Sequence, residues 1–343
     1  MTNDSDLDRF VNKGSASLRL SSPGKSRDVY FLVLPKMTML AFSSALEPLR
    51  IANQLTGQCL YRWFLFSEDG KPVRCSNGVS IGVDGPIRDI ERDDIAFVCS
   101  GIEGNLAASS KAVAWVRRQA RHGRIVGGLC TGAFSLARAG LLDGRRFTLH
   151  WENQPAFREM FPGLPFVDEL YCKDGDILTC GGGNAAIDLI VSLIEDHHGQ
   201  HLAAMVADMC LHGAQRPGSK NQRVSISALI GLRHPILVDV LEAMQSQLVD
   251  GFDIEEFCTT HGISRRQVER LFRKHLGTTP LRQFRDLRLD YAHSLMAETD
   301  LSVSEIAAAS GFEWQGTFSR AYRTRFGAMP DHRHRQTSSP RKA

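Results

Sequence analysis

DIEEFCTTHGISRRQVERLFRKHL (residues 253–276) and SVSEIAAASGFEWQGTFSRAYRTRF (residues 302–326) are two copies of one pattern. Each predicts a short helix, a turn at a glycine (Gly262, Gly311) and a second helix, the order of a helix-turn-helix unit. Asp253 with Glu256, Ser264 with Gln267, and Ser302 with Glu305 have the spacing of capping boxes, which mark where the helices start. In the helix after Ser264, Val268, Leu271, Phe272 and Leu276 share one face. In the helix of the second copy, Phe318, Tyr322 and Phe326 do the same. The positions left outside are Arg265, Arg266, Gln267, Arg270 and Arg273 in the first copy, and Gln315, Ser319, Arg320 and Arg323 in the second. Arginine clamps phosphate or the acceptor edge of guanine, and a helix fits the major groove. These nine residues are therefore the candidate DNA contacts. A solvated surface would explain one amphipathic basic helix. It does not account for two capped copies, each followed by G-x-x-P (Gly277–Pro280, Gly327–Pro330).

Working outward, RLFRKHLGTTP, RDLRLDYAHSLM, LSVSEIAAASGF and FSRAYRTRFGAMP resemble the AraC family of transcription regulators over residues 234–331. The resemblance implies that a long helix, about Pro280 to Ala297, carries both units so that two recognition helices enter one face of the DNA, where successive major grooves lie ~34 Å apart. Gly316 departs from a base-reading helix. It has no side chain and costs ~1 kcal/mol of helix propensity relative to alanine. The second unit is expected to clamp backbone more than read bases, through Gln315, Ser319 and Arg320.

Charge supports that placement. Residues 253–343 hold 15 Lys+Arg against 11 Asp+Glu, and the remainder 26 against 27, so the excess sits where phosphate would bind. The excess is modest, which points to a dimer or paired sites. With 343 residues, 43% of them hydrophobic, the chain is long enough for more than one core. Eight cysteines without a C-x-x-C pair fit neither a zinc site nor a disulfide scaffold, so no metal or cofactor is expected and a reduced cytoplasm is the simplest home. The polar, acidic opening MTNDSDLDRF does not read as a signal peptide, and no apolar run reaches the ~20 residues a spanning helix needs.

Residues 1–26 are polar and read as disordered. From residue 27 to 212, strands alternate with helices. DVYFLVLP (28–35), YRWFLFS (61–67), IAFVCSG (95–101), RIVGGLC (124–130), RFTLH (146–150) and DILTCGGG (176–183) are the expected strands. Helices are expected at 39–55, 112–121, 184–198 and 200–212. The fold class is thus α/β, a mainly parallel sheet with helices on both faces, joined to an all-α C-terminal domain. Such sheets bind ligands beyond the carboxyl ends of their strands. Residues 213–233, rich in Arg, Pro, Gly, Ser and Lys, read as a linker. An apolar helix from His234 opens the DNA-binding domain, and the basic stretch 332–343 reads as a solvated tail.

Cys130 ends a strand, follows Gly127-Gly128 and precedes a helix opening Thr131-Gly132, the layout of a nucleophile elbow. His150 ends another expected strand and could converge on it. VLPKMTML, GGLCTGAFSLARAGLLDG, TLHWE and CGGGNAAIDLIVSLIE resemble the PfpI and class I glutamine-amidotransferase-like group over residues 29–199. Enzymes of that group pair the elbow cysteine with a following histidine or with a carboxylate from the first helix. Here those positions hold Thr131 and Ala41, and Glu47 would have to point inward to substitute. Cys130 is therefore open to three readings: a buried structural residue, a pocket residue, or a nucleophile.

The pairing of the two domains resembles the GlxA-like regulators. That resemblance implies a ligand-responsive activator of catabolic genes for a small amino-acid-like or quaternary-amine metabolite. Its implied partners are promoter DNA, a small-molecule effector, a second copy of the chain and RNA polymerase, with no membrane and no catalytic residue. The candidate pocket is Cys130, Thr131, His150, Trp151 and Glu152, with Trp151 and Glu152 suited to hold a cation by ring face and charge. The alternative is a cysteine-dependent amidase or glyoxalase-type hydrolase fused to a DNA-binding domain. Turnover abolished by Cys130→Ala would mark it. A ligand-independent repressor is a third possibility.

Overall fold

Residues 9–20, 25–90, 94–213, 215–222 and 235–331 are described by a computed structural model. The chain divides into two units, Met1–Gln222 and Arg223–Ala343.

In the first unit the strands are β1 (Arg27–Val33), β2 (Tyr61–Ser67), β3 (Val73–Arg74), β4 (Ser80–Ile81), β5 (Gly85–Pro86), β6 (Ile95–Cys99), β7 (Ile125–Leu129), β8 (Tyr171–Asp174) and β9 (Ile177–Cys180). Seven of them form one sheet in the order β5-β2-β1-β6-β7-β9-β8, parallel except for the β8–β9 pair. The inner strands are apolar along their length because both faces are covered. On one face, α1 (Met39–Thr56), α6 (Ala185–His198) and α7 (Gln200–Met209) enclose Phe31, Phe97 and Leu129. Around β7 also lie α3 (Ser110–Arg121) and α4 (Ala133–Arg138), with α2 (Gly104–Ala107) packed on α4 and α5 (Gln154–Met160) following a 3-10 turn at Trp151–Asn153. The chain runs from β1 outward to β2 and later returns to the other side of β1 with β6. The strand order therefore reverses between β1 and β6, the place where sheets of this kind bind ligands at their carboxyl ends, and the elbow follows the neighbouring strand β7.

Three sequence expectations are corrected here. RFTLH (146–150) is not a strand. The antiparallel edge is made by YCKD (171–174), while the Thr148 N–H donates to the Thr179 hydroxyl rather than to a ladder carbonyl (3.0 Å). The N-terminus is not disordered over 9–20. Phe10 is buried edge-on against Trp63 and Phe64, and its carbonyl accepts from the buried Asn53 amide (3.1 Å). Leu18 and Leu20 also pack on the core, so a few apolar anchors outweigh the polar composition. Nor is the expected linker a linker throughout, because residues 215–222 are hydrogen-bonded into the first unit. Residues 1–8, 21–24, 223–234 and the tail 332–343 lie outside the described residues.

The second unit contains α8 (Pro235–Ser246), α9 (Ile254–His261), α10 (Arg265–Leu276), α11 (Pro280–Glu298), α12 (Val303–Ala309) and α13 (Gln315–Phe326). Its first core gathers Leu237, Val240, Met244, Phe257, Val268 and Phe272, with Phe284 of α11 closing it.

Candidate nucleic-acid interface and elbow site

The recognition helices are built as their sequences dictate. Asp253 caps α9 by accepting from the Glu255 and Glu256 N–H groups (2.8 and 3.3 Å). Gly262 ends α9 in the left-handed conformation that glycine adopts without strain (φ 62°). Ser264 and Gln267 form the full capping box of α10, with the Ser264 N–H donating to Gln267 Oε1 at 2.8 Å. Val268 and Phe272 are buried, while Arg266, Arg270 and Arg273 are exposed and have no ion-pair or hydrogen-bond partner among the described residues. Two other candidates are engaged. Arg265 donates to Glu255 (2.8 Å) and Glu269 (3.1 Å), which raises its pKa further, and the Gln267 carbonyl oxygen belongs to the cap.

In the second unit's other half, Ser302 and Glu305 form the capping box of α12. Trp314 begins α13 with no side-chain cap, and it is 68% exposed. Phe318 and Tyr322 face inward. Gln315 and Arg323 are exposed and, among the described residues, unpartnered. Ser319 is half-buried, and Arg320 Nε donates to the Gly316 carbonyl (3.3 Å). A Cβ on Gly316 would meet nothing within 4 Å, so packing does not require glycine there.

Sequence reasoning missed the residue that seats this helix. Arg325 forks onto Asp290 (2.8 and 2.7 Å) and reaches Asp286 (3.2 Å), fixing α13 to α11. Beside it, Arg282, Arg285 and Thr324 line a cleft of about 190 Å³. The i, i+3 arginines at the start of α11 were the available signal.

In the first unit, Cys130 sits at φ 60°, a left-handed backbone at a non-glycine residue. Close packing holds it there, since a Cβ on Gly182 would lie 2.7 Å from the Cys130 Cβ. The thiol is 5% exposed and 3.7 Å from the Thr38 hydroxyl. Burial pushes its pKa up to about 12, against the smaller opposing effect of Thr38. A catalytic thiol needs the reverse shift. The position expected for a partner carboxylate is filled by buried Ala41, and Glu47 turns outward to pair with Arg50 (2.6 Å).

The other pocket candidates separate by depth. Thr131 is 1% exposed and donates to the Gly101 carbonyl (2.7 Å), which makes it a brace beneath the loops. The His150 N–H donates to the Cys130 carbonyl (3.1 Å), so the two loops are joined through backbone. The His150 ring accepts from the Glu152 N–H (3.4 Å) and touches Trp151, and burial lowers its pKa. Trp151 and Glu152 are exposed at the rim. Sequence reasoning missed Gln222. Its amide nitrogen donates towards Thr148 Oγ1, Leu149 O and Glu169 O (2.9, 2.8 and 2.9 Å), and its oxygen accepts from the Trp151 N–H (3.0 Å).

No helix among the described residues is long and apolar enough to cross a membrane. Residues 257–336 match the helix-turn-helix domain family, and residues 28–196 match the DJ-1/PfpI family. The HTH-type transcriptional regulator CdhR of Pseudomonas aeruginosa is 43% identical over 305 residues, covering 89% of this chain and 90% of that protein. The HTH-type transcriptional regulator GlxA of Rhizobium meliloti is 37% identical over 324 residues, covering 93% of this chain and 100% of that protein. Among solved structures, a THiJ/PfpI family protein from Pseudomonas syringae shares the fold at 20% identity and a TM-score of 0.50, covering 68% of this chain and 94% of that one.

Proposed function

Because the chain belongs to the HTH-type transcriptional regulators that join a DJ-1/PfpI domain to an AraC-type DNA-binding domain, it is a DNA-binding transcription regulator, and we propose that its first unit senses a small molecule and that the effector-bound protein activates transcription from the cytoplasm as a homodimer. The effector class is a small amino-acid-like or quaternary-amine metabolite, and RNA polymerase is the further partner. The observation that carries this reading is an elbow preserved in shape without its chemistry. The strained turn stands at the carboxyl end of β7, but its thiol is buried and protonated, and among the described residues its side-chain hydrogen-bond partner is the Thr38 hydroxyl rather than a carboxylate or imidazole. A ligand site placed there would bind better than it reacts.

Trp151 and Glu152 at the rim offer a ring face and a negative charge to a cation. Arg266, Arg270 and Arg273 read or clamp DNA in the first half of the second unit, with Gln315, Arg320 and Arg323 in the other half. Exposed Leu40, Ile102 and Leu106 give the first unit apolar surface for a second copy.

The test is a thermal-shift panel of arginine, carnitine, glycine betaine, dimethylglycine, choline and simple amino acids on wild type, Cys130→Ala and His150→Ala. A ligand at 100 times its Kd adds ~2.7 kcal/mol. A stabilising compound whose effect is lost in His150→Ala supports the sensor reading. A flat panel would sink the proposed effector class.

A further inference from the structure

The segment that leaves α7 is fastened to the first unit at three points. At its start, Asp188 of α6, fully buried, accepts from the Arg216 N–H (2.8 Å) and from the Arg216 guanidinium (3.1 and 2.6 Å), and meets His212 Nε2 (3.0 Å). The segment then lies on the edge of β8. Leu170 N–H donates to the Gly218 and Lys220 carbonyls (3.0 and 2.8 Å), and a Cβ on Gly218 would lie 2.7 Å from the Tyr171 carbonyl.

At its end is Gln222, the last residue of the first unit. Its side chain is a latch. The nitrogen faces three acceptors and the oxygen faces the Trp151 N–H, so the orientation of the amide is fixed by its partners. Gly181 must be small beneath it, since a Cβ there would lie 2.3 Å from Gln222 Oε1. The latch therefore grips the backbone between Thr148 and Trp151, which carries His150 and leads to Glu152. Gln222 is the last described residue before α8, from which residues 223–234, outside the described residues, separate it in sequence.

We infer that residues 215–222 are a coupling strap, in which the Gln222 latch transmits a change at the His150–Glu152 loop to the DNA-binding unit, and the reverse. This rests on the regulator reading above but needs no effector to be tested. Coupling free energy is reciprocal, so whatever the loop does to DNA affinity, DNA does to the loop. Two states of the latch suffice, gripped and released, provided that DNA prefers one.

The experiment uses the full chain and a DNA duplex recovered from a random-sequence pool by binding to it. Deuterium exchange is followed at residues 149–153 and 168–171, with and without the duplex, for wild type, Gln222→Ala and Gln222→Glu. In wild type, duplex binding is expected to change exchange at the Trp151 amide at least threefold. Gln222→Ala is expected to speed that amide at least tenfold without DNA and to abolish the response to DNA, while β1 and β6 stay protected. Gln222→Glu keeps an oxygen for the Trp151 N–H but loses the donors, and its response should be weakened. An unchanged Trp151 amide in duplex-bound wild type overturns the inference, whatever the variants do. So does a full response persisting in Gln222→Ala. A flat thermal-shift panel would sink the effector reading and leave this result standing.

Discussion

Asp188→Asn removes one charge and hardly any volume, and so tests how firmly the segment after α7 is tied down. Each oxygen of Asp188 faces at least one N–H donor, with the Arg216 N–H at 2.8 Å on one and the Arg216 guanidinium at 2.6 Å on the other. Whichever way the new amide turns, its NH2 meets a donor. Breaking a buried ion pair costs ~3–5 kcal/mol. The Arg216 side chain is 34% exposed and water can re-solvate it, so the expected loss is nearer ~2–3 kcal/mol. A unit of this size shifts its Tm by roughly 2–4 °C per kcal/mol, which places the first unit's transition roughly 5–10 °C lower. Calorimetry on the full chain reads this directly. Trypsin provides the local readout, because cleavage after Lys220 should accelerate in the variant; the Arg216–Pro217 bond is itself resistant to trypsin. A Tm within ~2 °C of wild type, with cleavage unchanged, would refute the claim that this carboxylate holds the segment.

Arg266→Ala and Arg270→Ala should each weaken operator binding by ~1–3 kcal/mol and relax discrimination at one base pair if they read bases. Arg265→Ala should do less, because Glu255 and Glu269 already hold it; gel-shift titrations on base-substituted operators separate the cases. Cys130 should resist iodoacetamide at pH 7.5 in the folded protein and react on unfolding, since burial holds its pKa up at about 12. Cys130→Gly should be more stable than Cys130→Ala by ~1 kcal/mol in urea denaturation, the opposite of the order in a helix or strand, because φ 60° penalises a Cβ. His197, His198 and His150 all have pKa values lowered by burial, His197 to about 4. The unfolded chain therefore binds more protons below pH 6.5, so stability is full above that pH and falls from pH 6.5 towards 4, by at most ~1.4 kcal/mol per pH unit for each ring. Urea midpoints that stay constant from pH 7 to 4.5 would contradict this.

The second unit was legible because its signals are local. Apolar residues at helical spacing, serine caps with Gln or Glu three residues on, and glycines at the turns act within one or two helical turns, and all reappear in the structure. The inner strands were legible for a similar reason, since a strand covered on both faces is a plain apolar run. What escaped was non-local. Nothing in RFTLH says that the sheet edge goes to YCKD, whose mixed composition hides a strand paired on one side only. Nothing in a stretch rich in Arg, Pro, Gly and Ser says that a buried aspartate 28 residues upstream will hold its arginine. For the same reason the sequence offered Gln267 as a DNA contact and as a cap, and geometry shows its oxygen committed to the cap.

The elbow shows why a motif can outlive its chemistry. A Cβ on Gly128 would lie 2.8 Å from the Gly132 carbonyl carbon, and one on Gly132 would lie 2.5 Å from the Val98 carbonyl oxygen. β7 and the start of α4 are thus so close that only a sharp turn joins them, and Cys130 takes the left-handed backbone which that turn imposes. Strain of ~1–3 kcal/mol persists where the surroundings over-determine it, so the turn is evidence of the fold and not of catalysis. Catalysis would depend on what surrounds the sulfur, and here burial holds the thiol protonated while Ala41 and Thr131 stand where a base would be needed. The same turn does fix one thing of use to a regulator. The Cys130 carbonyl receives the His150 N–H, and one residue further on the Trp151 N–H is held by Gln222. The end of the central sheet is thereby linked by two successive hydrogen bonds to Gln222, the last residue of the first unit. This is the link through which the proposed sensor site would report what is bound there.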